Sequence, residues 1–575
     1  MASYAWLNML EHTIGSPAPD HGRRHRTPRN LVHWLFDSDD GAPGRLTPRW
    51  IFLRALAAIY FSAFYSLLFQ IEGLIGPQGI LPVHDYLPAV ARAYPVAKFW
   101  FAPTLFWISS SSHALMIVTW IGLAASVAAF LNLWPRLNLV ICFVCFVSFV
   151  SGAQDFSNYQ SDGMLLEAGF ISLFFAPRGL RPGLGVASPP SRASLFLLQW
   201  EWFRIYFESG LVKLISGDRQ WRTLTAMDQY YQNGPLPTWI GWYTQHLPHW
   251  FHAASAAGTL ILELGLVWML FLPRRIRIVC FFIVTPWEMG VILTANYTFL
   301  NYLVLSLGFL LLDDRFGLQF VPDRQVPALP AESIPGSEPQ STSAPSAADD
   351  VDLETAPAAV PRLSRRIHNH LSAIRVAIAA VMLTWIFYNT TAEMLLIAFR
   401  KLPLPTFPIT ALEPFRIANQ YGLFAVMTNG RYEIEFQGSN DGQNWTPYIF
   451  RNKPQLLNEA PRVYAPYQPR FDWNLWFASL GDWHQNEIVP LTEERLLENG
   501  KDVLGLFRSN PFPQAPPRYL RAVLWQYWFT TRAEKQATGN WWRRELLGLY
   551  APELTKTPEG RAAVVQWPEE LPVHD

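Results

Sequence analysis

The sequence predicts an α-helical polytopic membrane core of about nine spans, followed by a C-terminal mixed, β-rich, sandwich-like soluble domain. Three observations lead there. Of the 575 residues 50% are hydrophobic and only 16% are charged, where soluble domains carry about 25% charged residues. Apolar runs of span length recur between Trp50 and Ala398, and the remaining third alternates in the manner of strands. Aromatic residues make up 15% of the chain and include 25 Trp, a residue that favours membrane interfaces. A formal net charge of zero offers no global field to attract nucleic acid. The partners expected on composition are membrane lipids and no nucleic acid.

A helix that crosses a bilayer needs roughly 20 mostly apolar residues. Residues 1–49 read as a polar, basic cytoplasmic N-terminus with no apolar stretch suited to a cleavable signal, so the first span would act as an uncleaved anchor. The multi-pass core at 50–318 then runs through Trp50–Ile71, Leu115–Leu133, Trp134–Ser151, a short Met164–Ala176, and Leu195–Leu214 with four charges. Ala253–Leu272, Ile276–Leu293 and Tyr297–Leu312 follow. With the N-terminus inside, the short inside segments hold thirteen arginines (Arg23 to Arg49, Arg136, Arg178 to Arg192, Arg274 to Arg277). The outside loops hold Arg92, Lys98, Arg219 and Arg222. This is the bias that orients membrane proteins; Arg400 and Lys401, just past the last span, run against it.

Residues 319–366, including "PALPAESIPGSEPQSTSAPSAADD", form a Pro/Ser/Ala/acidic linker too polar to offset its ordering entropy, and are expected to be disordered. A final membrane helix at 367–398 places residues 399–575 outside the cytoplasm. In this domain "RYEIEFQGSNDGQNWTPYIF" holds two alternating strands around a turn cluster, and "RYLRAVLWQYWFTT" a further one. "LTEERLLENGKDVLGLF" is helical up to Gly500 and then resumes. All three cysteines, Cys142, Cys145 and Cys280, lie in apolar runs, so no disulfide framework exists in the C-terminal third. The C-x-x-C of Cys142 and Cys145 lacks the electropositive, accessible setting of a redox motif.

Chemistry-bearing residues concentrate in "LFLLQWEWFRIYFESGLVKLISGD". Glu201, Arg204 and Glu208 share one helix face, with Glu201–Arg204 and Arg204–Glu208 both within pairing reach. Lone charges in lipid are expensive, so the cluster should face the bundle interior. It is either a satisfied network that fixes packing or a polar cavity for a ligand. Lys213 falls on the other side of an ideal helix, where it either snorkels toward Asp218 or acts as a desolvated base. Ser161 or Asp162 is placed to cap a helix. Glu167 lies one turn inside it, and Glu263 and Glu288 are further intramembrane acids that a proton-coupled transporter would use. No P-loop, G-x-S-x-G, H-E-x-x-H or dinucleotide fingerprint is present. His246, His249 and His252 recur every third residue but are interrupted by Pro248, which spoils a helical metal face. Of the sequons at Asn296, Asn389 and Asn444, only the last sits in an exposed loop. Neither a cofactor nor a metal is expected.

Several blocks, in order over most of the chain, resemble the lipase maturation factor family. In the core they are "SNYQSDGMLLEAGF", "WFRIYFESGLVKLISGDRQWRTLTAMDQYYQNGPLPTWIGWYTQHLP" and "ILTANYTFLNYLVLSLGFLLLDD". In the C-terminal domain they are "YEIEFQGSNDGQNW", "APYQPRFDWNLWFASLG", "RSNPFPQAPPRYLRAVLWQYWFT" and "WWRRELLGLY". The resemblance implies a membrane protein of the endoplasmic reticulum that helps lipases reach their active fold, with no catalytic residue to carry over. Composition and linker read as bacterial, so the compartment is either a bacterial inner membrane or the reticulum membrane. A weaker likeness, "YFESGLVKL" with Trp221 eight residues beyond Lys213, is to the transmembrane region of vitamin K-dependent gamma-carboxylase, and implies a base at Lys213.

The reading is therefore of a non-enzymatic maturation factor whose exported clients, lipase-like by resemblance, meet the C-terminal domain. Trp473, Trp476 and Phe477 in "FDWNLWFASLGDW" are the client-binding candidates; alternatively they are the buried face of an amphipathic helix. A membrane enzyme using Lys213 and a transporter using Glu167, Glu263 and Glu288 are the competing readings.

Overall fold

The computed structural model describes residues 28–318, apart from 40 and 158, and residues 362–569. The first 27 residues and the polar run at 319–361, most of the expected tail and linker, lie outside the described residues.

The chain folds onto the core earlier than expected. Helix α1 (Pro28–Phe36) leads to Arg45 and Arg49, which are buried although the sequence reading assigned them to the polar tail. Arg45 donates to the carbonyls of Leu310 and Leu312. Arg49 donates to the carbonyls of Leu184, Gly185 and Ser188. Arg277 does the same at the Leu311 carbonyl, at 2.9 Å. Arg45 and Arg277 thereby satisfy orphan carbonyls at a helix end, where the helix dipole also favours a cation, while Arg49 ties down the loop between the helices Gln160–Phe175 and Arg192–Ile215.

The membrane core comprises α2 (Leu46–Leu68), α3 (Ser112–Phe130), α4 (Pro135–Gly152), α5 (Gln160–Phe175), α6 (Arg192–Ile215), α7 (Trp239–Gln245), α8 (His249–Leu264), α9 (Arg274–Thr294), α10 (Leu300–Gly308) and α11 (Arg362–Ala398). Local chemistry sets the boundaries. Ser111 accepts from the Ala114 amide to start α3, and Ser191 from the Ser194 amide to start α6, both serving as N-caps. Pro135 occupies the first turn of α4, where its missing N–H is harmless.

Among the described residues six helices are long and apolar enough to cross a membrane, at Pro43–Leu68, Ser112–Phe130, Pro135–Gly152, His249–Phe271, Arg274–Thr294 and His370–Ala398. The sequence predicted nine. The other three segments are α5, α6 and α10, and burial explains the difference. α5 has 16 residues, about 24 Å at 1.5 Å per residue, short of the roughly 30 Å hydrocarbon layer. α6 is long but charged. Both are buried along almost their whole length. α6 is the hub, packed against α5, α8, α10 and α11, so its polar groups meet protein rather than lipid.

The C-terminal region contains α12 (Arg470–Ala478), α13 (Ile488–Leu497) and one six-stranded antiparallel sheet. Its strands are β1 (Arg431–Ser439), β2 (Thr446–Pro447), β3 (Tyr519–Phe529), β4 (Trp542–Leu549), β5 (Glu553–Lys556) and β6 (Ala562–Gln566). The order is β2-β1-β3-β5-β6, with β4 also on β3. Ile434 faces Leu524 and Phe436 faces Ala522 across the β1–β3 ladder. At the β1–β2 turn Gly442 has φ +73°, the left-handed backbone that glycine adopts freely. The sandwich-like expectation does not hold among the described residues, where all six strands form a single sheet. The physical reason lies in β1. Ile434 and Phe436 supply its apolar face. The alternate residues are charged, with Glu433 held by Arg431 and Lys453, and Glu435 by Arg544. A face built of ion pairs cannot stack on a second apolar sheet.

One buried acid in this region has a pH signature. Glu493 on α13 is fully buried and neither carboxyl oxygen has a hydrogen-bond partner. Burial holds its carboxyl well above the usual carboxylate range. The unfolded value is about 4.3. Its contribution to stability is therefore greatest below that pH, and declines as pH rises toward the folded value, by about 1.4 kcal/mol per pH unit. Glu493→Gln should raise the melting temperature at pH 8 and leave it unchanged at pH 4. Thermal unfolding of the full-length protein at the two pH values checks this; equal shifts at both would contradict it.

Candidate functional site: a polar core closed by a returning strap

Glu201, Arg204 and Glu208 share a face of α6 as expected, but their partners lie elsewhere in the chain. The Arg204 guanidinium donates to Glu167 on α5 and, at 2.6 Å, to the Asn419 carbonyl. Glu208 stands 3.8 Å from it. The Glu167 carboxylate also accepts from the Asn419 amide at 3.0 Å, the Asn419 side chain at 3.1 Å and the Tyr421 hydroxyl at 2.9 Å. Glu208 accepts from the Tyr421 amide at 2.7 Å. All three charged side chains are fully buried.

Residues 416–428, which sequence reasoning assigned to the soluble domain, thus form a strap that re-enters the polar heart of the helix bundle. Its backbone amides and carbonyls fill sites on the core. Gly422 donates to Gln160, Leu423 to Ser209 and Met427 to Asp218. Phe424 accepts from Trp221, and Thr428 from Asn233. Gly163 permits the close approach, since a Cβ there would stand 2.6 Å from the Asn419 side-chain oxygen. The only signal in the sequence was the polar run Asn419-Gln420 soon after the last span.

The expected Glu201–Arg204 pair is not formed. Both Glu201 carboxyl oxygens and the Arg204 Nε are buried without hydrogen-bond partners, because the fork of Arg204 is taken by Glu167 and the strap. The expected cap at Ser161 or Asp162 is also absent; Tyr159 occupies the N-cap position of α5 without a side-chain bond. Asp162 instead accepts two hydrogen bonds, at 2.7 and 2.8 Å, from Arg470 on α12. Arg470 also donates to the Phe156 carbonyl at 2.8 Å, and its own amide donates to Gln70 at 2.8 Å. This forked pair, fully buried at both ends, fastens the sheet region to the core. Arg470 escaped the sequence reading.

Of the client-binding candidates, Trp473 and Trp476 are buried and Phe477 is 47% exposed. Trp473 packs on Tyr159 and Tyr297, and the Trp476 indole donates to the Asn233 carbonyl. The two tryptophans glue α12 to the core, which leaves Phe477 alone of the three at the surface. His246, His249 and His252 turn to separate partners: the Trp242 and Thr530 carbonyls, Asp228, and the Leu247 carbonyl. Among the described residues no group of three or more His, Cys, Asp or Glu side chains is placed to hold a metal ion. Asn296 is buried and holds the amides of Tyr464 and Ala465.

Lys213 neither snorkels nor reaches Asp218, which caps a short helix at the Gln220 amide. The Lys213 ammonium donates to both carboxylate oxygens of Glu263, at 2.8 Å each, and sits 5.2 Å from the Trp221 ring. A closed ion pair is poorly suited to the base role that the weaker likeness implied. The pair borders a cavity of about 370 Å³ between α6, α8, α9 and α10. On the same cavity, Glu288 accepts from the Tyr206 hydroxyl and the Asn301 side chain, both at 2.6 Å. Glu167, Glu263 and Glu288 are thus each enclosed by their own partners.

Comparison with known proteins covers both regions. Residues 47–319 match the model of the lipase maturation factor transmembrane domain, and residues 417–552 that of the lipase maturation factor C-terminal domain. The chain is 30% identical to lipase maturation factor 2 of Gallus gallus, across 90% of this chain and 82% of that protein. It is 30% identical to lipase maturation factor 2 of Homo sapiens (89% and 83%) and to lipase maturation factor 1 of Bos taurus (92% and 94%). No solved structure matches.

Proposed function

Because the chain belongs to the lipase maturation factor family, we propose that it assists the folding or assembly of exported proteins, lipases among them, from within a membrane. Its similarity to two groups of lipase maturation factors, over both core and C-terminal domain, carries this reading. In it, the strap and the Asp162–Arg470 pair hold a sheet domain rigidly over the bundle, and clients meet that domain. Phe477 is the surviving aromatic contact from α12.

The same reading sets the topology. Arg45 and Arg49 lie at one end of α2, while Gln70, just beyond the other end, binds the Arg470 amide. The 23 residues of α2 separate them by about 34 Å. An arginine-rich end inside and a sheet domain outside agree with the positive-inside bias. The six apolar helices form the lipid-facing passes, and α5, α6 and α10 add three interior ones, for nine passes with the N-terminus in the cytoplasm. Deleting the gene in its own host should lower secreted lipase activity per unit of lipase protein several-fold, and re-expression should restore it. Unchanged specific activity, with lipase export intact, would overturn the proposal.

A further inference from the structure

The cavity beside Lys213, which Leu423 and Phe424 of the strap help to wall, has no part in the maturation role proposed above, and its construction is that of a binding site. Its volume, about 370 Å³, falls within the roughly 300–1,000 Å³ of small-molecule sites. A polypeptide helix, about 10 Å across, does not fit, so a helical client segment is excluded as occupant. At about 30 Å³ per heavy-atom group, the share one water takes in the liquid, the space holds about a dozen such groups. That is a head group and the first carbons of a chain.

The inner end is polar and presents acceptors. Asn301 is buried, and while its amide nitrogen serves Glu288, its carbonyl oxygen has no hydrogen-bond partner. A buried, unfilled acceptor is costly unless something donates to it. Glu288 and Glu263 add carboxylates, and the only ammonium on the wall, Lys213, is already paired. The arrangement favours a head group that donates hydrogen bonds and carries no negative charge.

The outer end is open and apolar. Pro286 and Gly290 line the cavity from α9 and are exposed. A Cβ on Gly290 would meet no atom within 4 Å. Around them Ile261, Phe282, Met289 and Leu293 are exposed on helices apolar enough to span a membrane. The opening therefore faces hydrocarbon, between α8 and α9.

We infer that this chamber is a lateral binding site for an uncharged, hydroxyl-bearing amphiphile of the bilayer, of the monoacylglycerol type, with its hydroxyls on Asn301 and Glu288 and its chain leaving past Gly290 into the lipid. The inference stands independently of the maturation role.

The test is photolabelling of the full-length protein in nanodiscs with a diazirine-bearing, clickable monoacylglycerol, mapped by mass spectrometry. Saturable labelling is expected in residues 249–294, displaced by monoolein and at least tenfold less by oleate. Gly290→Leu, which fills the mouth without a neighbour to strike, should cut that labelling at least tenfold at an unchanged melting temperature, and Gly290→Ala should leave it. Ser255→Leu, on the opposite wall, serves the same purpose should Gly290→Leu fail to fold. Labelling no stronger than on residues 112–152, or undiminished in the folded filled variant, would overturn the site. Equal displacement by oleate would overturn the choice of head group.

Discussion

Arg470→Ala is expected to destabilise the protein by about 3–5 kcal/mol, the penalty for stripping one partner from a buried ion pair. The substitution leaves the Asp162 carboxylate enclosed with neither of its two donors, and leaves the Phe156 carbonyl without the donation it received. Asp162→Asn should cost less, because an amide oxygen still accepts one bond. Asp162→Ala combined with Arg470→Ala should cost less than the two single losses added, since neither charge is then abandoned. The pair joins α5 to α12, so damage should concentrate at the junction between core and sheet domain. Thermal unfolding of the detergent-solubilised protein, with limited proteolysis near residue 470, measures both parts. A melting temperature within about 1 °C of wild type in Arg470→Ala would contradict the assignment, given that 1 kcal/mol is worth about 2–4 °C even in domains of 150–250 residues.

Glu167→Ala should be at least as damaging, and by a different route. One carboxylate there collects the Arg204 guanidinium, the Asn419 amide and side chain, and the Tyr421 hydroxyl. Its loss leaves Arg204 with a glutamate 3.8 Å away and several buried donors unfilled, each worth about 1–3 kcal/mol. The strap should then lift, exposing residues 416–428 to protease before the bundle unfolds. Glu201→Gln is the control on the same helix face. Glu201 holds no ion pair and no hydrogen bond, so the change should be neutral or stabilising. A reversed order, with Glu201→Gln worse than Glu167→Ala, would refute the network described above.

What could be read in advance followed from local rules. α3, α4, α8, α9 and α11 were visible because a long apolar run has few other uses. β1, β3 and α13 were visible because two-residue and 3.6-residue periodicities differ. The shared face of Glu201, Arg204 and Glu208 was also correct, being helix geometry. Their partners were not legible. Asp162 obeys the capping rule on paper, yet pairs with a residue 308 positions away, and no spacing encodes such a distance. Arg204 had Glu201 within local reach but was taken by Glu167 and by the Asn419 carbonyl, a main-chain group with no side-chain signature. Trp473 and Trp476 fit a buried helix face and an exposed contact surface equally well as letters, and the docking of α12 on Tyr159 and Tyr297 decides between them. The segments α5, α6 and α10, which fall short of a crossing by length and composition, show a related limit. Hydropathy cannot distinguish a helix wrapped by other helices from one bathed in lipid.

The strap has a bearing on biosynthesis. Ribosomes release a chain from its N-terminus onward, so α5 and α6 are made with Glu167, Arg204 and Glu208 while the residues that complete their coordination are still unmade. Every later membrane helix must be made before Asn419 and Tyr421 can arrive. Until then the nascent bundle carries an incompletely neutralised centre, held by Glu–Arg contacts alone, and its final annealing waits on translation well beyond the last membrane helix.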